Sequence, residues 1–197
     1  MAGCRPLTEH EIELVSKSFT GRFAKRNQAL FYFSIKTGFR ISETLSVRVG
    51  DVFEHGKFKT HVFVAPKHMK GKKKGRNVVM HEAAKSAIGD YMAEYQAMWD
   101  RPMTPDMFLF RSQRGVNRPL SRSQVAKIFH DIYDSHQFTG KLGTHVFRKT
   151  YARRMWELLG KDIVKTQAAM DHANINSTVR YLQNFTNEDI EEAILKG

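Results

Sequence analysis

The organisation of the chain is clearest at residues 37–43, which read Thr37-Gly38-Phe39-Arg40-Ile41-Ser42-Glu43. A helix-forming apolar run over residues 24–36 precedes them, and Gly38 is suited to end that helix because glycine readily adopts the left-handed conformation. Arg40 and Glu43 then begin another short helix. The stretch therefore predicts two helices joined by a tight turn, with a basic and an acidic side chain one helical turn apart.

On either side of this turn the sequence reads mainly as helix. Thr8 and Glu11 form a capping box that begins a helix near the N-terminus, and Ser121 and Gln124 form a second one. Further helical segments lie at residues 82–99, to about Ser135 after the second capping box, and in three or four short pieces from His145 onward. No internal repeat or low-complexity linker divides them, which indicates one helical domain.

One segment has a different pattern. Residues 58–65 alternate with β-branched and aromatic side chains, and residues 77–80 are similar, which predicts a β-hairpin. Its tip, residues 67–76, is basic and interrupted by glycine. Residues 107–110 are predicted as a further short strand. The expected fold class is therefore mainly α with a small antiparallel β-sheet (α+β).

Length and composition restrict the class of protein. The 197 residues are enough for one hydrophobic core. We expect a single domain over residues 1–197, with a core at about 7–185 and a C-terminal helix at 186–197. No apolar run approaches the ~20 residues needed to cross a bilayer, and no signal peptide is recognised, so a cytoplasmic protein with no membrane partner is expected. Cys4 is the only cysteine, which excludes an internal disulfide and a cysteine-based zinc site.

The charge balance points to a polyanionic partner. Lysine and arginine together number 32, aspartate and glutamate together number 20, and the formal net charge is +12. Duplex DNA carries one negative charge per ~1.7 Å, and a basic surface gains affinity by releasing the counterions condensed on it. Many soluble proteins also have cationic surfaces, so charge alone nominates double-stranded DNA without establishing it.

Common catalytic motifs are absent from the sequence, which has no Walker-type phosphate loop, no Gly-x-Ser-x-Gly and no His-Glu-x-x-His. What stands out is a set of cations and a tyrosine. His145 and Arg148 lie one helical turn apart, and His172 precedes Tyr181 by nine residues. Taken singly, each has an ordinary structural interpretation, such as a helix cap for His145 or a half-buried packing residue for Tyr181.

Taken in order, these residues resemble the catalytic domain of the tyrosine recombinases, the phage-integrase family. The features that carry the resemblance are the stretch at 37–43, a basic hairpin, His145-x-x-Arg148, His172 and Thr178-x-x-Tyr181. The resemblance covers about residues 7–185 and implies that family's catalytic-domain fold, with no N-terminal core-binding domain. In size the chain is similar to the single-domain fimbrial phase-switch recombinases, although a catalytic-domain fragment of a longer integrase would read the same.

The resemblance implies an enzyme that cleaves and rejoins duplex DNA through a 3′-phosphotyrosine, without metal, ATP or another cofactor. Tyr181 would attack the phosphodiester. Because a tyrosine hydroxyl has a pKa of about 10, the attack needs concentrated positive charge around it. The remaining roles that the resemblance implies are charge stabilisation by Arg40, Arg148 and His172, proton acceptance by His145, and orientation of Arg40 and His145 by Glu43.

A lysine at the hairpin tip is implied as the general acid for the leaving 5′-oxygen. Lys70 is the preferred candidate because it lies immediately before the turn at Gly71, and Lys72 and Lys67 are the alternatives. The residues predicted to contact DNA around it are Lys67, Lys72, Lys73, Lys74 and Arg76.

One position departs from the family pattern, because Asp171 stands before His172 where glycine is usual. A carboxylate there would cap the following helix or raise the pKa of His172. Two other functions remain open from the sequence. One is DNA relaxation of the type IB topoisomerase kind, and the other is a catalytically idle DNA-binding regulator on the same scaffold.

The resemblance also predicts how the protein would assemble. It implies self-association on DNA as a tetrameric synapse, with the C-terminal helix at residues 186–197 exchanged between protomers. A bacterial or phage-encoded protein that acts at the nucleoid, with room for accessory DNA-bending proteins, is the corresponding expectation. The target DNA sequence is not encoded in these motifs, nor is the choice among integration, excision and inversion.

Overall fold

The computed structural model describes residues 4–68, 75–182 and 194–195. In chain order its elements are α1 (Glu9–Lys17), α2 (Ala24–Thr37), α3 (Ile41–Ser46), α4 (Val49–Val52), β1 (Phe53–Glu54), β2 (Lys57–Phe58), β3 (His61–Val64), a 3-10 turn (Pro66–His68), β4 (Arg76–Val79), α5 (Glu82–Trp99), α6 (Arg122–Ser135), α7 (Val146–Leu158), α8 (Ile163–Met170) and α9 (residues 175–182). The predicted class, mainly helical with antiparallel strands, is confirmed. Within these ranges no helix is both long and apolar enough to cross a membrane.

Local sequence signals set several helix boundaries. The Thr8 side chain accepts a hydrogen bond from the backbone N–H of Glu11, and the Glu11 carboxylate accepts one from the N–H of Thr8, as the capping box predicts. Ser121 and Gln124 cap α6 in the same way. Helix α2 ends at Gly38, whose φ is +62°. The turn at 37–40 therefore has the glycine-dependent geometry that the sequence predicts.

The described strands form two separate two-stranded sheets, where the sequence predicted one. Phe58 belongs to β2 and pairs with Phe53 of β1, so it does not extend the hairpin. A tight turn with φ of +76° at Gly56 closes that pair, and the two phenylalanine rings pack with their centroids 5.0 Å apart. The hairpin itself consists of β3 and β4, in which Val64 is opposite Arg76.

The prediction of a strand at residues 107–110 is wrong. The segment forms a single bridge, between Arg48 and Phe108, instead of a ladder. The Leu109 N–H donates to the Val47 carbonyl at 2.8 Å, but the partner chain then enters α4 and leaves the pairing. The apolar side chains of this segment are explained by burial in the core, which needs no strand.

Helix α2 is central to the core, where it packs against α5 and α7. The ring centroid of Phe31 lies 5.9 Å from that of Phe129 in α6 and 6.1 Å from that of Phe147 in α7. Phe129 and Phe147 meet edge to face at 4.6 Å. Each buried phenylalanine contributes roughly 1.5–3 kcal/mol. This aromatic cluster fixes the start of α7 relative to the turn that ends α2.

Candidate active site

The turn between α2 and α3 carries Arg40, whose side chain is 35% exposed. Its Nη1 donates to Oε1 of Glu43 at 2.8 Å, and its backbone N–H donates to Oε2 of the same carboxylate at 2.9 Å. The Glu43 side chain is only 1% exposed. A buried carboxylate thus holds both the backbone and the guanidinium of Arg40, a contact that suits the orienting role predicted for Glu43.

Arg148 lies in the first turn of α7 and is 1% exposed. Its Nη1 donates to the carbonyl of Gly38 at 2.5 Å, and its Nη2 donates to the carbonyl of Met170 at 2.7 Å. Its buried Nε has no hydrogen-bond partner in the part of the chain that the structure describes. Because a guanidinium has five N–H donors, these two bonds anchor Arg148 and leave donors for a further acceptor.

The surroundings of Arg148 are strongly positive. Burial, reinforced by the charges of Arg76 and Arg40, lowers the pKa of Arg148 to about 10. Glu43 and Tyr181 act in the opposite direction. The guanidinium therefore stays charged at neutral pH, in a poorly solvated place where its attraction for an anion is strong.

Tyr181, in α9, reaches this cluster with its hydroxyl hydrogen-bonded to Nε2 of His145. The two rings lie 5.7 Å apart, and the ring of His172 meets that of Tyr181 edge to face at 5.1 Å. His145 is the N-cap residue of α7, one turn before Arg148. The fold therefore brings together Arg40, Arg148, His145, His172 and Tyr181, which are spread over residues 40–181 of the sequence.

Burial controls the protonation of the tyrosine and its partner. It raises the pKa of Tyr181, and the nearby Arg148 and Arg40 guanidiniums oppose that shift. It lowers the pKa of His145, and here the same two cations add to the effect. The imidazole of His145 is therefore neutral at neutral pH, so its Nε2 can accept the proton that Tyr181 must lose.

Asp171 solves the problem that its departure from glycine creates, because it adopts the left-handed conformation itself, with φ of +51° at the end of α8. Aspartate is one of the few non-glycine residues that tolerate this region. Next to it, Nδ1 of His172 shares a hydrogen bond with the Thr178 hydroxyl at 2.9 Å, and the His172 carbonyl accepts from Gln167 Nε2 at 3.0 Å. The imidazole is thus held in place from two sides of the turn.

Lys149 belongs to the site but was not recognised in the sequence. It is 8% exposed, and its Nζ lies 5.6 Å from the centroid of the Tyr181 ring. A cation over an aromatic face favours a ring that gains negative charge. Its position directly after Arg148 was the one available signal, and a helical wheel would have placed it on another face.

The structure revises one of the predicted DNA contacts. Arg76 is 5% exposed, and its guanidinium donates to three backbone carbonyls in the interior, so it is not placed to bind a phosphate at the surface. Lys67 is exposed, next to the 3-10 turn after β3. The remaining hairpin lysines lie outside the described residues, namely Lys70, Lys72, Lys73 and Lys74. Their roles stay predictions.

In the ranges 4–68, 75–182 and 194–195, no group of three or more histidine, cysteine, aspartate or glutamate side chains could hold a metal ion. What these residues do provide is a tyrosine hydroxyl, a neutral imidazole that accepts its hydrogen bond, and two guanidiniums. This is the arrangement of a site for phosphoryl transfer through a tyrosine nucleophile.

Comparison with known proteins agrees with that class. The phage integrase family matches residues 5–188, and the chain belongs to this family. It is 29% identical to "Probable integrase/recombinase YoeC" of Bacillus subtilis, over 80% of this chain and 77% of that protein. It is 28% identical to "Tyrosine recombinase XerH" of Campylobacter jejuni, over 85% of this chain and 44% of that protein. The family predicted from the sequence is confirmed.

Solved structures confirm the fold. A crystal structure of XerH recombinase bound to a palindromic difH substrate, a post-cleavage complex, superposes with a TM-score of 0.73 at 23% identity, over 96% of this chain and 52% of that chain. A crystal structure of XerA recombinase gives 0.69 at 23% identity, over 92% and 61%. The chain thus spans about half the length of XerH and somewhat more of XerA.

Proposed function

We propose that the protein is a site-specific recombinase that cleaves and rejoins duplex DNA through Tyr181. The observation that carries the proposal is the hydrogen bond from the Tyr181 hydroxyl to Nε2 of His145, beside the buried guanidinium of Arg148. A tyrosine used only for packing needs neither a neutral base at its hydroxyl nor a buried cation beside its ring.

The cleavage step follows from this geometry. The Tyr181 oxygen attacks the scissile phosphorus while its proton passes to His145, and the bond from phosphorus to the 5′-oxygen breaks. The products are a 3′-phosphotyrosine and a free 5′-hydroxyl, whose proton comes from the general acid, for which Lys70 is proposed. The phosphodiester energy is kept in the adduct, so a 5′-hydroxyl from another strand reverses the step without ATP.

The cations act on the phosphate itself. Arg40 and Arg148 donate hydrogen bonds to the non-bridging oxygens, and His172 adds a third donor, so the charge that develops in the transition state is neutralised. The two carbonyl bonds of Arg148 hold its fork in place beforehand, so little reorganisation is needed when the phosphate arrives.

The partner is double-stranded DNA, supported by the net charge of +12. Exchange of strands between two duplexes needs four active sites, so we propose a tetrameric synapse. The proposed cellular setting is the nucleoid of a bacterium or the DNA of its phage. Lys67, Lys72, Lys73 and Lys74 are proposed as phosphate contacts around the cleavage site.

The test uses DNA of unspecified target sequence. The protein is incubated with a pool of randomised duplex oligonucleotides, denatured in detergent, and the covalently attached DNA is captured and sequenced. We expect wild-type protein to retain one sequence family, with a free 5′-hydroxyl that a kinase labels without phosphatase. Tyr181→Phe, which loses only the hydroxyl, should bind DNA and retain none covalently.

The outcomes separate the alternatives. No adduct from wild-type protein would leave a DNA-binding regulator, and an adduct with Tyr181→Phe would move the nucleophile to another residue, with Tyr151 next to be tested. Relaxation of supercoiled plasmids that lack the recovered sequence, without exchange between duplexes that carry it, would indicate a topoisomerase.

A further inference from the structure

Two buried arginines meet at one carbonyl oxygen. Arg148 in α7 donates to the Gly38 carbonyl at 2.5 Å, and Arg76 in β4 donates to the same oxygen through Nη1 at 3.3 Å. Arg76 also donates through Nη2 to the carbonyl of Thr37 at 3.1 Å. The end of α2 is therefore tied to α7 and to the hairpin together, directly before the turn that carries Arg40.

Arg76 also reaches the other end of the site. Its Nη2 donates to the carbonyl of Ala169 at 2.8 Å. The next residue, Met170, is the second acceptor of Arg148. Both guanidiniums therefore link the end of α2 to the end of α8, from which the turn that carries His172 begins.

This arrangement is expensive for a residue that only packs. Arg76 is 5% exposed, with its Cζ 5.2 Å from the ring centroid of Phe39 and 5.9 Å from that of Tyr151. Burial lowers the pKa of Arg76, which reflects the cost of taking a cation out of water. An apolar side chain in the same place would avoid that cost and the repulsion from Arg148.

We propose that Arg76 is a positioning residue for DNA cleavage, which holds the Arg40 turn, Arg148 and the His172 turn at the spacing that one scissile phosphate requires. The proposal rests on the proposed function. Arg148 has to anchor the site and donate to the phosphate with one guanidinium. Arg76 supplies a second anchor between the same two segments, so Arg148 keeps its remaining donors aimed at the substrate.

The test compares two forms of the DNA site recovered from the randomised pool. One has the ordinary scissile phosphate, and the other has a methylphosphonate, in which a methyl group replaces one non-bridging oxygen and removes the negative charge. A defect in the guanidiniums should matter less on the uncharged form. Arg148→Ala is the reference, with an expected loss of about 10²–10³-fold in adduct formation on the phosphate and a much smaller loss on the methylphosphonate.

Arg76→Met keeps an unbranched side chain between Phe39 and Tyr151 and removes the three hydrogen bonds. We expect a loss on the order of 10²-fold on the phosphate, because small misplacements of catalytic groups have effects of this size. The loss on the methylphosphonate should be clearly smaller, as for Arg148→Ala. A residue that only stabilises the fold would reduce cleavage of both substrates equally.

Arg26→Met is the matched control. Arg26 is also 5% exposed, its Cζ lies 4.7 Å from the ring centroid of Phe23, and it donates to the carbonyl of Arg111 at 3.0 Å. It lies in the first turn of α2, about 17 Å along the helix from Thr37. This variant loses a comparable buried arginine, so we expect any change in rate to be the same on both substrates.

The outcomes are distinguishable. If Arg76→Met does not fold, Arg76→Lys decides, because it keeps the charge and cannot bridge the two segments; it should show the same substrate dependence. Equal losses on both substrates in folded Arg76 variants, or failure of both variants to fold, would overturn the positioning role. If wild-type protein forms no adduct on either substrate, the proposed function fails instead.

Discussion

The ring of Tyr151 lies directly against Gly38, so closely that a Cβ at Gly38 would be 2.2 Å from Cδ1 of the ring. The same glycine has φ of +62°, and its carbonyl accepts hydrogen bonds from Arg148 and Arg76. Two separate physical requirements, space and backbone conformation, therefore demand glycine at this turn. Through this contact, α7 determines where the turn that carries Arg40 lies.

Gly38→Ala should destabilise the protein strongly. The left-handed conformation costs an alanine ~1–2 kcal/mol, and the overlap with Tyr151 adds ~1–3 kcal/mol of overpacking. Gly56→Ala is the control, because Gly56 has φ of +76° and nothing within 4 Å of its Cβ position. Urea unfolding measures both variants. Equal destabilisation would mean that the ring moves away at little cost.

The pH dependence of cleavage should report His145. Its pKa lies below the ordinary 6.5, and the form that accepts the Tyr181 proton is the neutral one. The accepting form is therefore fully present at neutral pH and is lost only as the pH falls through that lowered pKa. We expect kcat/KM for adduct formation to be constant near neutrality and to fall on acidification below 6.5. His145→Gln should lose this acid limb, and a limb that persists would assign the base elsewhere.

Glu43→Gln should slow cleavage through Arg40. The exchange weakens a charge-assisted hydrogen bond worth ~1.5–3 kcal/mol, which corresponds to about 10–10²-fold in rate. Glu13→Gln is the control, since Glu13 only forms an exposed pair with Lys17. If Glu43 acts by orienting Arg40, adding Glu43→Gln to Arg40→Ala should cause little further loss in a double-mutant cycle. Additive losses would give Glu43 a separate role.

The general acid can be identified by the chemistry of the leaving group. When sulfur replaces the bridging 5′-oxygen, the leaving group needs no proton. Lys70→Ala should therefore cleave that substrate well and the ordinary one poorly. Lys73→Ala, at a predicted phosphate contact, should affect both alike. If Lys70→Ala is equally impaired on both, the role moves to Lys72 or Lys67.

Deletion of residues 187–197 should separate binding from assembly. The segment is acidic on a protein of net charge +12, and so short a helix needs a partner surface to be stable. We expect the truncated protein to bind one DNA site nearly as well as the full chain, and to be impaired in synapsis and recombination. Native gels with two DNA sites and a strand-exchange assay measure the difference. Full recombination by the truncated protein would exclude exchange between protomers.

Short-range interactions made much of this molecule readable from the sequence. The Thr8 and Ser121 caps, the limits of α5 and the Arg40–Glu43 pair each depend on residues within a few positions of one another. The order of basic residues ahead of Tyr181 was enough to predict the family. Helix signals of this kind are encoded locally, so they do not depend on how the chain packs.

Only the tertiary structure decided what the buried cations do. Arg76 reads in sequence as part of a basic hairpin tip, yet its hydrogen-bond acceptors lie as far away as Ala169. Lys149 is next to Arg148 in the chain, and only the position of α9 brings Tyr181 over it. Burial and long-range contacts determine which charges meet solvent and which are enclosed, and no local pattern carries that information.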